Sequence, residues 1–114
     1  MPTSAEKGLQ LLPATPGRRI SDCIGHTPLL RIRLFEEAAP ELLVLGKAEF
    51  MNPGGSVKDR PALRMVEEAL RSGQLGRGQV LLDSTSGNTG VAYAMLGAAL
   101  GFPVKLVVPD NVGS

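Results

Sequence analysis

The stretch QVLLDSTSGNTGVAYA, from Gln79 to Ala94, contains a short apolar run, a loop of hydroxyls and glycines, and the opening of a helix built from small residues. Gln79 to Asp83 (QVLLD) reads as a short buried strand. Thr89 to Leu100 reads as a helix that is apolar nearly all round, with Gly90, Ala92, Ala94, Gly97, Ala98 and Ala99 supplying small surfaces. Such a helix is expected to be covered on most sides. VKLVV, from Val104 to Val108, reads as a second buried strand. Strand, helix, strand in this order is the pattern of a parallel β-α-β unit.

Working outward, Lys58 to Ser72 also reads as a helix. Leu63, Val66 and Leu70 form an apolar stripe flanked by Ala62 and Ala69. Arg64–Glu68 and Glu67–Arg71 stand four apart as opposite charges on the wet side. Pro61 fits only the first turn, which places the N-cap near Asp59, and Gly73 is placed to end the helix. Upstream, Glu41 to Glu49 (ELLVLGKAE) predicts a strand buried on both faces by its LLVL run. Pro28 to Phe35 (PLLRIRLF) predicts a strand with one wet face, marked by Arg31 and Arg33. Residues 1–19 read as a flexible leader of prolines and small residues without periodicity. The fold class predicted is therefore α/β, a parallel sheet flanked by helices. The loops Asn52 to Ser56 and Ser84 to Gly90 each follow a strand and precede a helix. In one parallel sheet they would share the rim where chemistry sits.

Composition narrows the function classes. With 114 residues the chain has room for about one small domain. A net charge of +1 gives no electrostatic reason to expect nucleic acid or an anionic membrane as partner. Three phenylalanines and one tyrosine are too few for a base-stacking platform. One cysteine excludes an internal disulfide, and one histidine leaves zinc short of its usual ligands, so no metal site is expected. No segment reads as an export signal or membrane span. A reducing cytoplasmic location is the default.

The two loops carry the chemistry. Ser84 to Gly90 (STSGNTG) places two glycines, the hydroxyls of Thr85, Ser86 and Thr89, and the Asn88 amide at a helix start, a setting suited to an anion. No lysine or arginine lies in it, which favours a singly charged carboxylate over a triphosphate. The alternative is a plain helix cap in which Ser and Thr satisfy the helix's own donors. Neither G-x-G-x-x-G nor G-x-x-x-x-G-K-[ST] occurs, which disfavours a nucleotide-binding module. In Asn52 to Arg60 (NPGGSVKDR), Lys58 stands at a helix start, where the helix dipole opposes a cation, with Arg60 adding positive charge nearby. Both would favour a neutral, nucleophilic amine, and Asp59 works the other way. The alternative is a lysine that simply reaches into solvent.

Taken together, IGHTPLLRI (Ile24 to Ile32), KAEFMNPGGSVKDR (Lys47 to Arg60) and STSGNTGVAYA (Ser84 to Ala94) resemble the fold-type II pyridoxal phosphate enzymes, specifically the cysteine synthase and cystathionine β-synthase branch. The resemblance runs from about Ile20 to Asn111. It implies a tryptophan synthase β-like fold with pyridoxal 5'-phosphate as cofactor. It also implies that Lys58 is the Schiff-base residue that moves the α-proton, and that Asn88 contacts the cofactor's ring hydroxyl. Thr85, Ser86, Gly87, Asn88 and Thr89 match the loop that grips the substrate's α-carboxylate. The reaction implied is β-replacement, in which an activated serine such as O-acetylserine and a sulfur donor yield cysteine. Cystathionine β-synthase, serine or threonine dehydratase, and a catalytically inactive truncated product are the alternatives.

The resemblance further implies a longer, homodimeric enzyme, of which residues 20–114 would be part of the N-terminal cofactor-binding domain. The Gly/Thr-rich loop for the cofactor phosphate, the Ser or Thr facing the pyridine nitrogen, and the C-terminal domain have no counterpart here. The chain alone is thus expected to be marginally folded and without turnover. Some members of the branch bind haem through Cys and His. Here Cys23 and His26 lie beside or inside the matched IGHTPLL run and are read as structural.

Overall fold

In a computed structural model of the chain, residues 17–85 and 87–111 are described; most of the expected leader, and Ser86, lie outside them. The elements run as a 3-10 turn at Ile20–Cys23, β1 (Leu29–Arg31), β2 (Leu45–Lys47), a 3-10 turn at Glu49–Met51, α1 (Asp59–Ser72), β3 (Leu81–Ser84), α2 (Asn88–Leu100) and β4 (Val104–Val107).

The C-terminal half is the predicted β-α-β unit. β3 and β4 pair in parallel, Leu81 opposite Val104 through Ser84 opposite Val107, with α2 as the crossover. Glycine makes the close packing of α2 possible. A Cβ on Gly97 would lie 2.6 Å from Val104 Cγ2 and 2.8 Å from the Phe102 carbonyl oxygen. On Gly90 it would meet Thr85 Cγ2 at 3.0 Å and Leu106 Cδ1 at 3.1 Å. α1 packs across α2 and joins Ile24, Ala62, Val66, Ala92, Tyr93 and Leu96 in one core cluster. The Tyr93 hydroxyl meets Met65 Sδ at 3.6 Å. Gly73 ends α1 and Gly101 ends α2, both left-handed at φ near 80° (80° and 82°), a conformation that costs any residue with a Cβ.

Four expectations are corrected. The strands do not form one parallel sheet: β1 and β2 make a separate antiparallel pair, Leu29 opposite Lys47. Residues 32–44 between them form turns and no crossover helix, so the chain returns antiparallel. The bond from the Ile32 N–H to the Val44 carbonyl extends the pair. The LLVL run is not buried on both faces; Leu42, Leu43 and Leu45 are exposed, because no second layer covers this two-stranded ribbon among the described residues. α2 is covered on one side only, with Val91, Ala94, Ala98 and Ala99 exposed. On α1, Arg71 reaches Glu68 three residues back rather than Glu67.

Candidate functional site

The loop before α1 is shaped by a buried asparagine and two glycines. Asn52 is only 4% exposed; its Oδ1 accepts the Gly25 N–H at 2.8 Å, and its Nδ2 donates to the Glu49 carbonyl at 2.8 Å and to Glu49 Oε2 at 2.9 Å. Gly55 adopts φ +90° and its N–H closes a turn onto the Asn52 carbonyl at 2.8 Å. Gly54 donates its N–H to Asp59 Oδ2 at 2.6 Å, and a Cβ there would lie 2.2 Å from Asp59 Oδ1. Asp59 is fully buried, and its Oδ1 lacks a hydrogen-bond partner among the described residues. Lys58 follows as the residue that caps α1. Its N–H donates to Ser56 Oγ at 3.1 Å, its carbonyl accepts the Ala62 N–H at 3.1 Å, and its side chain is exposed.

Arg60 is the residue near Lys58 whose surroundings the local pattern misread. Its Nε donates to Glu49 Oε2 at 2.8 Å, and its Nη2 to Glu49 Oε1 at 2.9 Å, the Gly25 carbonyl at 3.1 Å and Thr27 Oγ1 at 3.2 Å. Thr27 Oγ1 in turn donates to Glu49 Oε1 at 3.2 Å. Gly25, at φ +88°, lies so close that a Cβ would meet Arg60 Nη1 at 2.9 Å. The Arg60 charge is therefore neutralised by a bidentate carboxylate and is not the free cation that the sequence places beside Lys58. The Glu49 carboxyl is held down at about 2 from its ordinary 4.5, first by the Arg60 hydrogen bonds and then by those of Asn52 and Thr27, against an opposing effect of desolvation. Only the fold could reveal this array, since Thr27, Glu49 and Arg60 come from three separate segments.

The second loop extends the parallel ladder. Thr85 is half-buried; its N–H reaches the Val107 carbonyl at 3.1 Å and its Oγ1 accepts the Gly87 N–H at 3.3 Å. Gly87 is the N-cap of α2 in extended conformation, and it supplies no side-chain cap. Asn88, the first helical residue, is exposed and Thr89 half-buried. Among the described residues, Thr85 is thus the hydroxyl that satisfies a backbone donor at the start of α2, while the cap position itself, a glycine, has no side chain to offer. Thr85, Gly87, Gly90, Val91, Ala94, Leu106 and Val108 line an open cleft of about 220 Å³. Ser86 lies outside the described residues.

Lys58 is not among the residues lining that cleft. The shared-rim expectation is corrected as well, since the two loops belong to different two-stranded sheets and the first follows a 3-10 turn. A larger concavity of about 440 Å³ lies along α1, at Arg64, Met65, Glu68, Ala69 and Gln74. Cys23 and His26 are exposed, and the Cys23 thiol donates to the Arg19 carbonyl at 3.6 Å. Among the described residues no group of three or more His, Cys, Asp or Glu could hold a metal ion, and no helix is long and apolar enough to cross a membrane.

The donor set fits a pyridoxal phosphate substrate complex in two respects. It offers an exposed primary amine on a loop where glycine is obligatory, and a helix start with glycine at the cap position that carries hydroxyl and amide groups without a cation. The chain is 53% identical over 91 residues to the cysteine synthase of Aquifex aeolicus, a match that covers 78% of this chain and 28% of that protein. It is 44% identical over 90 residues to the cystathionine beta-synthase of Rattus norvegicus, covering 78% and 16%. Among solved structures, a hydrogen sulfide-producing enzyme from Fusobacterium nucleatum superposes with a TM-score of 0.75 at 35% identity, over 89% of this chain and 33% of that one. The chain therefore spans a third or less of the length of each of these three. The model of the pyridoxal-phosphate dependent enzyme family matches residues 20–114, and with that match over most of its length the chain belongs to that family.

Proposed function

We propose that this chain carries the lysine and the carboxylate-binding loop of a cysteine synthase-like enzyme that performs β-replacement on an activated serine with a sulfur donor. When bound, pyridoxal 5'-phosphate supplies the electron sink for bond changes at the substrate's Cα and Cβ. Lys58 would hold the cofactor through its Nζ and later carry the substrate's α-proton on that same atom. Thr85, Ser86, Gly87, Asn88 and Thr89 would clasp the α-carboxylate with hydroxyl, amide and backbone N–H groups, and Asn88 would also face the cofactor's ring hydroxyl. The first turn of α2 carries this reading: its cap residue is Gly87, with no side chain to accept from the opening N–H groups, and a singly charged carboxylate supplies an acceptor there without a neighbouring cation. The whole enzyme would act on small molecules as a homodimer in the cytoplasm.

The 44% identity to a cystathionine beta-synthase supports a second reading, with the same site residues and a different thiol as the incoming group. Titrating the chain with pyridoxal phosphate and reducing with borohydride tests what the two readings share. The expected result is a visible absorbance band and a cofactor-sized mass increase on the peptide containing Lys58, both lost in Lys58→Ala. Adding O-acetyl-L-serine is expected to shift the band, and Thr89→Ala to weaken that response about tenfold, the effect of losing one or two charge-assisted hydrogen bonds. A band that persists in Lys58→Ala would remove the assignment.

A further inference from the structure

We propose that Glu49 is a positioning residue for Lys58. The inference rests on the reading of Lys58 just given and names what sets the place of its amine. Lys58 itself is exposed, so its position depends on the backbone from Asn52 to Arg60. That loop is tied at both ends to a single carboxylate. At its start, Asn52 Nδ2 donates to Glu49 Oε2 at 2.9 Å; at its end, the Arg60 fork spans both Glu49 oxygens at 2.8 and 2.9 Å. Thr27 Oγ1 adds a fourth bond at 3.2 Å, which ties the Ile24–Thr27 segment to the same point. Between the two ends, the bond from the Gly54 N–H to Asp59 Oδ2 keeps the loop folded without involving Glu49.

Neutralising Glu49 therefore loosens both ends of the loop, which keep only the bonds of Asn52 to Gly25 and the Glu49 carbonyl and of Arg60 to Gly25 and Thr27, while leaving its middle and the core around Leu96 intact. Glu49 is not placed against cofactor or substrate; it acts through Asn52 and Arg60. A displacement of about 1 Å at a reacting group costs on the order of a hundredfold in rate, so a partial release should be readable.

The experiment compares borohydride-trapped pyridoxal phosphate adducts at Lys58 and at Lys105, an exposed lysine on β4, in one peptide-mass measurement on the full chain. In Glu49→Gln, the ratio of Lys58 to Lys105 adduct is expected to fall about tenfold with the far-UV helix signal unchanged. Arg60→Lys should act in the same direction, because one ammonium cannot make the paired bonds of the guanidinium. Glu49→Asp, which keeps the charge on a shorter stem, should recover part of the ratio. An unchanged ratio in Glu49→Gln overturns the positioning role while leaving Lys58 in place. The absence of selective adduct at Lys58 in the unsubstituted chain removes the Lys58 reading and this proposal with it. Should Glu49→Gln lose its helix signal, Thr27→Val deletes the two Thr27 Oγ1 bonds of the array, to Glu49 and from Arg60, instead. A smaller fall in the ratio supports the role, and none overturns it.

Discussion

The β3-α2-β4 unit and the β1-β2 ribbon start from similar sequence and end in different environments. Both arise from apolar runs, QVLLD and VKLVV in the first and PLLRIRLF and ELLVLGKAE in the second. In the first, a helix with glycines at the contact positions lies against the strands, and Leu96 is fully buried. In the second, Leu43 remains 67% exposed, because the ribbon pairs edge to edge and has no covering layer among the described residues. Apolar composition alone does not bury a strand; a layer buries only the face it covers, and on β3 and β4, expected as buried strands, Leu82 and Val107 stay 63% and 52% exposed on the face away from α2. The Glu49–Arg60 pair ties the turn after the ribbon to α1, and α1 in turn shares the core cluster with α2.

The contrast is broken most directly by deleting matched side chains. Leu96→Ala should cost about 2–5 kcal/mol, since truncation leaves a cavity in a packed site. Leu43→Ala should stay within about 0.5 kcal/mol, as an exposed position does. Urea titrations followed by far-UV circular dichroism check both, and equal costs would erase the distinction. Gly97→Ala comes next. Alanine is worth up to about 1 kcal/mol over glycine within a helix, but overpacking against Val104 and the Phe102 carbonyl costs about 1–3 kcal/mol. A net loss is expected, and a gain in midpoint would show that α2 has room to move off β4.

Acid addresses the junction between the regions. The Glu49 carboxyl titrates lower folded than unfolded, so its contribution is complete above pH 4.5 and drains away as the pH falls toward about 2. Stability measured from pH 6 to pH 2.5 should decline within that window, and the decline should be smaller in Glu49→Gln. The smallest effect is expected at Arg71, whose exposed pairing with Glu68 on the outer side of α1 is screened by solvent. Arg71→Ala should leave the urea midpoint unchanged within error.

Much of the helical half was readable in advance. The 58–72 and 89–100 periodicities correspond to Asp59–Ser72 and Asn88–Leu100, and QVLLD and VKLVV to a parallel pair, because helix period, glycine stops and strand-loop-helix order are local properties. The loop glycines were legible too, as positions for tight turns, although the 2.2 Å approach of Gly54 to Asp59 was not. Arg60 was read as a free cation because its partner lies 11 residues upstream, in a run expected to be strand. A carboxylate that distant in sequence leaves no periodic trace.

Local spacing was enough to set the helices, their glycine ends, the β-α-β unit and the residue types offered at each loop, since each depends on neighbours within a few positions. Long-range contact alone decided that the strands separate into two sheets, that the LLVL run stays exposed, and that Glu49 gathers Thr27 and Arg60. Those outcomes depend on which segments meet across loops, where loop-closure entropy and competing partners act, and a linear pattern carries no record of that competition.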